Sequence, residues 1–338
     1  MKTPLVSICI PTYNRPEYLL KALRSCFAQT LQDFEIIITD NSPDDRSQKL
    51  VRSLSHRKIK YYRNSQNIGG LKNIERARRL ARGTYIKYLM DDDLLRADCL
   101  EKMVAVMEQY PNVGVVMAPL GIIDDADRPV QPVFYLVKKM RVLYNYRDES
   151  GLIEKRIIMK DFLTSIYPCC VPTGVMFRAS GFKRFGGIDL KAKFAIDVEI
   201  CMRFALAYDF YYIHETLSQW RFNPTSDTVQ LHNKGLDNDA FYVITEKYLN
   251  NEKTQAMFAD KEWRAIQKAS FLFASKRSLL TVLSGIRTAN AATMINALKI
   301  IGKHDRSLLN KLKLPFIAFF EVVKGLTSWF PTKRRLPS

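Results

Sequence analysis

Between residues 5 and 118, short β-rich runs, most of them largely apolar, alternate with segments whose apolar residues recur at helical spacing. The runs are 5 to 10 (LVSICI), 34 to 39 (FEIIIT), 59 to 63, 85 to 90 (YIKYLM) and 113 to 118 (VGVVMA). A strand that is apolar on both sides must be covered on both faces, and the intervening helices supply the cover. The alternation therefore dictates right-handed βαβ units and a doubly wound, mainly parallel sheet of the α/β class. Pro11 is expected to end the first strand and Asn14, with Glu17 three residues on, to cap the first helix. Further helices are expected over about 45–55, over 70–82 with Gly83 as C-cap, and over 98–110. From 120 to 170 the pattern is irregular, and VPTGVMFRASGF then reads as a strand leading into a turn. Residues 196 to 207 read as a helix with Ile196, Ile200, Phe204 and Ala207 on one face, and beyond about 236 only helical signals remain.

In a sheet of this kind, ligands sit outside the carboxyl ends of the strands. That rule selects Pro11 to Asn14, Asp40 to Ser42 and Asp91 to Asp93. No GxGxxG follows a strand and no GxxxxGK[ST] occurs, so neither a dinucleotide fingerprint nor a P-loop is supported. The run Asp91-Asp92-Asp93 is the sharpest feature. Three adjacent carboxylates repel one another, and a hard divalent cation, Mg2+ or Mn2+, would neutralise them. The competing reading is a polar turn in which Asp93 caps the next helix. Asp40 in DNS is by itself also ordinary turn chemistry.

The formal net charge of +18 calls for an anionic partner, and its distribution says where. Residues 261–338 hold 15 Lys and Arg against three Asp and Glu, a net +12, which leaves +6 for the first 260. Residues 312–330 (LKLPFIAFFEVVKGLTSWF) combine aromatic bulk with lysines and suit the interface of an anionic membrane, where each nearby basic residue is worth about 1 kcal/mol. A helical subdomain packed on the rest of the chain, or a subunit contact, would use the same residues. The apolar stretch 314–320 is well short of the ~20 residues that span a bilayer. The N-terminus enters a core strand without an export-signal core. Six cysteines without CxxC spacing, with four scattered histidines, make no zinc site and suit reduced thiols in a cytoplasmic protein. No RNA- or DNA-reading module is recognisable, so nucleic acid is not an expected partner.

Taken together, PLVSICIPTYNRPEYLLKALRSCFAQTLQDFEIIITDNSPDD and GTYIKYLMDDDLL, followed by VPTGVMFR, FAIDVEICMRFA and SQWRFNPTSDT, resemble a family 2 glycosyltransferase of the GT-A fold over residues 4 to 230. The resemblance implies a Rossmann-like GT-A domain over 1–235, with a nucleotide-sugar half to about 118 and an acceptor half over 119–235; the charge and composition read above make 236–338 a basic helical, membrane-associating region. It implies donor contacts from Pro11, Tyr13 and Asp40 to base and ribose. The aspartate run takes the place of the DxD-type motif for Mn2+ or Mg2+. Aligned on Leu89, the usual Leu-Asp-x-Asp-Asp puts Met90 at its first Asp, with Asp92 and Asp93 as the matching metal ligands and Asp91 acting through ribose or a bound water. Where the family often has Arg-x-His, this chain offers Arg221 to the donor and Asn223, whose carbonyl oxygen can ligate the metal. Asp197 falls at the family's catalytic base, with Glu199 as the alternative acid. Without the resemblance, the same segment reads as an exposed helix start with a Glu199–Arg203 pair. Lys72, Arg76, Arg78 and Arg79 could meet donor phosphates or merely be solvated. Thr173 and Gly174 fall near the acceptor by analogy.

The expectation is an inverting, metal-dependent transferase that moves a sugar from a nucleotide-sugar donor, with UDP favoured, to a glycan or lipid-linked saccharide. The setting would be cell-surface polysaccharide synthesis on the cytoplasmic face of the membrane. The alternatives are an inactive transferase-like protein that binds membranes or polyanions, and a nucleotidyltransferase or pyrophosphatase using the same carboxylate and metal logic.

Overall fold

A computed structural model describes residues 3–130, 146–164, 171–190, 195–222, 237–287 and 291–304. Its centre is an eight-stranded sheet in the order β3-β2-β1-β4-β9-β6-β10-β8. These strands are β1 (Val6–Thr12), β2 (Phe34–Asp40), β3 (Ile59–Arg63), β4 (Tyr85–Tyr88), β6 (Val113–Met117), β8 (Gly151–Ile153), β9 (Val175–Arg178) and β10 (Asp209–Tyr212). Six run parallel, while β9 and β8 run against their neighbours. A small sheet of β5 (Leu94–Leu95), β11 (Ser218–Arg221) and β7 (Leu120–Ile123) stands beside the carboxyl ends of the large one.

The alternation of side chains fixes the two layers. Ile8 and Ile10 of β1 and Ile36 and Ile38 of β2 are buried in one core with α1 (Pro16–Phe27), α2 (Arg46–Leu54) and α4 (Cys99–Gln109). Cys9, Ile37, Ile86 and Tyr88 are buried in the other core. That face is covered by α3 (Gly70–Leu80), α5 (Lys155–Thr164), α6 (Ala179–Phe185) and α7 (Ile196–Ala205). The C-terminal helices α8 (Asp237–Leu249), α9 (Glu252–Gln255), α10 (Asp260–Arg287) and α11 (Ala291–His304) follow. Ala240, Ile244, Tyr248, Trp263 and Ile266 join this second core, and Ser270 Oγ donates to Leu163 O at 2.6 Å. No helix among the described residues is long and apolar enough to cross a membrane.

Several boundaries differ from the sequence expectation, each for a local reason. β1 runs through Pro11 to Thr12, paired with Thr39 and Asp40. Residues 5, 7 and 9 face β4 and residues 6, 8, 10 and 12 face β2, so the missing N–H of Pro11 falls on the β4 side, beyond the last β1–β4 pair at Cys9 and Tyr88. Asn14 does not cap α1. It has φ 56°, its N–H donates to Ser42 Oγ at 2.8 Å, and Arg15 stands at the N-cap. Gly83 is not the C-cap of α3, which ends at Leu80 with Ala81 extended. A Cβ at Gly83 would lie 2.5 Å from the backbone nitrogen of Ser7, so glycine there permits close approach to β1. The turn expected at 179–182 is the start of α6, where a Cβ on Gly181 would strike the Phe204 ring. Within the stretch read as irregular lie β7, β8 and α5, whose Ile158, Met159, Phe162 and Leu163 are buried.

Candidate active site

The strand order reverses at β1. Connections from β1 to β2 and β3 proceed to one side and β4 lies on the other, which opens the crevice where open α/β sheets hold ligands. The ends of β1 and β4 are tied across it. Thr12 Oγ1 donates to Asp91 Oδ2 at 2.7 Å, and the N–H of Tyr13 reaches the same oxygen at 3.4 Å. Arg15 Nη1 lies 2.6 Å from Asp92 Oδ2 and 3.6 Å from Asp91 Oδ1, so two adjacent carboxylates converge on one cationic nitrogen. Burial, and then the charge of Asp92, pushes Asp91 up to about 7 against the pull of Thr12, Arg15 and the Tyr13 N–H.

Asp93 points the other way. It is fully buried, its Oδ2 accepts from Thr173 Oγ1 and its Oδ1 accepts the Arg221 N–H at 2.9 Å. Burial first, and then repulsion by Asp92, raises its pKa well above the usual carboxylate range. Thr173 is held in turn through its carbonyl oxygen, which accepts from the buried Lys87 Nζ at 2.6 Å and from Ser218 Oγ at 2.9 Å. Asp93 is thus a buckle between β4, the 3₁₀ turn Pro172–Gly174 and β11. Both oxygens of Asp93, expected as a metal ligand, are engaged inside the protein.

Arg221, expected to meet the donor, is a buried strut in this fold. It is 2% exposed, its Nε donates to Asp92 O at 2.8 Å, Nη1 donates to Asp124 O, Nη2 pairs with Asp127, and its guanidinium lies 5.0 Å from the Tyr18 ring centroid. Asn223 lies outside the described residues.

Asp40 ends β2 at the same rim. Its Oδ1 accepts the Ser42 N–H at 2.6 Å and its Oδ2 accepts from Tyr61 Oη. Beside it Asn64 Nδ2 donates to Asn41 Oδ1 at 2.7 Å and to Asn73 Oδ1 at 2.8 Å, a buried amide cluster fastening β2, β3 and α3. Tyr13 is exposed and Pro11 half-buried at the mouth of the crevice. Lys72 is exposed in the first turn of α3, whose Asn73 donates to Thr39 O at 2.9 Å. Arg76 and Arg78 are used internally, on Asn64 and on Glu75.

Asp197 occupies the first turn of α7. Its Oδ1 accepts the Val198 N–H at 2.8 Å, and it lines an apolar recess with Ile74, Tyr88, Pro172, Val175, Phe177, Ile188, Ile196 and Ile200. Burial pushes it up to about 6, opposed by the Val198 N–H and its own. Pro172 beside Asp197 and Thr173 on Asp93 belong to one turn, which links the two carboxylate centres. Phe204 anchors the far end of α7 with ring centroids 5.2 Å from Phe177 and 5.1 Å from Phe182, contacts worth about 0.5–1.5 kcal/mol each beyond burial.

The sequence profile of glycosyl transferase family 2 matches residues 7–186, which contain the switch point, the aspartate run and the 172–174 turn. The chain belongs to glycosyltransferase family 2. It is 24% identical over 234 residues to an uncharacterized glycosyltransferase of Rickettsia typhi, covering 67% of this chain and 66% of that protein. The S. aureus protein TarS, residues 1–349, solved in complex with UDP-GlcNAc, has the same fold, with a TM-score of 0.62 at 18% identity over 90% of this chain and 82% of that one. The Pyrobaculum calidifontis mannosyltransferase PcManGT, solved with GDP-Man and Mn2+, superimposes with a TM-score of 0.57 at 16% identity over 97% and 84%.

In this glycosyltransferase the alternative acid, Glu199, is fully buried and committed. Its Oε1 lies 2.7 Å from Lys247 Nζ and its Oε2 2.8 Å from Arg203 Nη2. The Glu199–Arg203 pair expected on an exposed helix is therefore an internal one, fastened to α8. Thr173, expected near the acceptor, is fully buried behind the aspartate run. Sequence reading selected the segment containing Thr12 without naming its role, and missed Lys87 and above all Arg15. The signal for Arg15 was available: a basic residue just past the β1 turn, facing an aspartate run that lacks a counter-charge. Among the described residues no three His, Cys, Asp or Glu side chains form a metal cage. The donor set nonetheless fits a hard cation that takes one or two carboxylates and completes its shell from a substrate diphosphate, because Asp91 Oδ1 and Asp92 Oδ2 already share one cation.

Proposed function

We propose that this chain transfers a glycosyl group from a nucleoside diphosphate sugar to a hydroxyl of a glycan or lipid-linked saccharide, inverting the anomeric centre with the help of Mn2+ or Mg2+. The observation that carries the reading is the convergence of Asp91 and Asp92 on one cation at the β1/β4 crevice, joined to Asp197 through the 172–174 turn. The UDP-GlcNAc and GDP-Man complexes of the two structural neighbours support a nucleotide-sugar donor, and the Mn2+ of one supports the metal.

Asp92, with Asp91, would hold the metal, which when bound stabilises the departing nucleoside diphosphate. Pro11, Tyr13 and Asp40 at the β1 and β2 ends would meet the base and ribose, and the exposed Lys72 would meet the donor. Asp197 accepts the proton of the acceptor hydroxyl as that oxygen attacks the anomeric carbon. A base poised near 6 is ionised at neutral pH yet basic enough to take that proton. The neighbouring acid, Glu199, is locked to two cations and offers no nucleophile for a second displacement, which favours single-step inversion.

The reading divides the chain into a transferase unit over 1–235 and a helical region over 236–338 that rests on the cytoplasmic face of an anionic membrane. The basic, aromatic sequence 305–338, outside the described residues, supports that location. Loss of binding to anionic vesicles on deleting 305–338 is the expected outcome, and unchanged binding would remove the membrane from the reading.

The test of the reaction is a panel of UDP- and GDP-sugars with and without Mn2+, scored for nucleoside diphosphate release. Asp92→Ala and Asp197→Ala should each abolish release in a folded protein. Full activity in either variant overturns the assignment. Pyrophosphate or nucleoside monophosphate as product would make the chain a nucleotidyltransferase or pyrophosphatase.

A further inference from the structure

Arg15 occupies the place at Asp91 and Asp92 that the proposed metal needs. Its Nη1 is 2.6 Å from Asp92 Oδ2 and 3.6 Å from Asp91 Oδ1. Of the other carboxylate oxygens in the run, three are held by the protein, which leaves the metal the edge formed by Asp91 Oδ1 and the Asp92 carboxylate. Asp91 Oδ2 is held by Thr12 and Tyr13, and both oxygens of Asp93 are engaged. A divalent ion bonds carboxylate oxygen at about 2.0–2.2 Å, inside the space that the guanidinium nitrogen fills. The two cations therefore compete for the same carboxylate edge. The Arg15 side chain is 37% exposed, so the guanidinium has a solvent path away from the carboxylates.

We propose that Arg15 serves as counter-ion to Asp91 and Asp92 until the divalent metal displaces it from Asp92, and that the released guanidinium then grips the diphosphate of the incoming donor. This rests on the donor and metal reading above. The charge balance supports it. With the metal neutralising Asp91 and Asp92, the anionic diphosphate requires a further cation, and a guanidinium tethered at the end of β1 has the planar fork that phosphate oxygens accept in pairs. Its backbone, at the N-cap of α1, stays where it is while the side chain moves.

The test measures Mn2+ binding to the nucleotide-free protein by electron paramagnetic resonance, and UDP binding at saturating Mn2+ by calorimetry. The proteins are wild type, Arg15→Met, Arg15→Gln and Arg15→Lys. Removing the competitor should tighten Mn2+ binding by about fivefold or more in either neutral variant, the lower end of ordinary site coupling, while weakening UDP binding by a similar factor. Arg15→Lys, which keeps the charge, should retain Mn2+ affinity close to wild type. Two neutral variants are included so that one which fails to fold leaves the other to decide. If wild type binds both Mn2+ and UDP and the neutral variants bind Mn2+ no more tightly, the exchange is wrong while the donor site stands. If wild type binds neither, the donor and metal reading falls and the exchange with it.

Discussion

Thr12 Oγ1 donates to Asp91 Oδ2 at 2.7 Å across the reversal of strand order, so the last residue of β1 and an aspartate three residues past β4 are locked at the mouth of the crevice. The bond orients Asp91 so that its second oxygen faces the shared cation. Thr12→Val keeps the shape and removes the donor, leaving a buried carboxylate oxygen with only the long Tyr13 contact. A loss of about 1–3 kcal/mol is expected from unfolding curves. The KM for the donor should rise by a larger factor than kcat falls, because the acceptor side, at Asp197, is untouched.

Asp92 carries an internal conflict between stability and use. Its charge raises the pKa of both Asp91 and Asp93, so as a carboxylate it works against its neighbours in the metal-free fold. Asp92→Asn relieves that repulsion and gives up only a partly exposed ion pair with Arg15. The variant should melt no lower than wild type at about pH 8 in EDTA, as expected where an active site holds unfavourable charge. It should release no nucleoside diphosphate and gain no Tm from Mn2+ with UDP. A melting point several degrees below wild type would make Asp92 structural.

Thr173 transmits order from the core to the aspartate run. Lys87 and Ser218 hold its carbonyl, and its hydroxyl holds Asp93. Thr173→Val should cost about 1–3 kcal/mol, since a buried acid loses its donor. Thr173→Ser keeps the hydroxyl and should recover most of that loss, the difference being read in denaturant midpoints.

The first four strands and their helices were legible because each residue step of two or 3.6 was imposed by burial. Ile36, Ile37 and Ile38 are all interior, two against one helical layer and one against the other. The antiparallel insertion of β9 between β4 and β6 was not, since pairing across 90 residues leaves no local trace. The location of the site was also legible, because Asp40 ends β2 and Asp91 follows closely on β4. The division of labour within DDD was not. Only the fold shows that Asp93 turns inward to Thr173 and Arg221, while Asp92 turns outward to Arg15. Arg221 resembled a ligand contact in sequence because a buried strut and a phosphate clamp use the same residue type.

Asp197 gives the prediction with the most direct sign. Its burial pushes the carboxyl up to about 6, and a base acts only when ionised, so kcat should fall below about pH 6 by up to tenfold per unit and level off above it. Asp91, pushed to about 7, titrates nearby but belongs to the donor side, so the profile must be taken with donor and Mn2+ saturating. The same shift has a consequence for stability. A carboxyl with a folded pKa above its unfolded value binds its proton more tightly in the native state, so its contribution is full below about pH 4 and is lost as pH rises through 6. Asp197→Asn is neutral throughout. The Tm of wild type measured relative to this variant should therefore decline between about pH 4 and pH 6 and level off above, with transfer absent in the variant at every pH. A flat Tm difference together with a flat rate profile would show that Asp197 is a solvated helix-start residue, and the proton would have to be taken by another group.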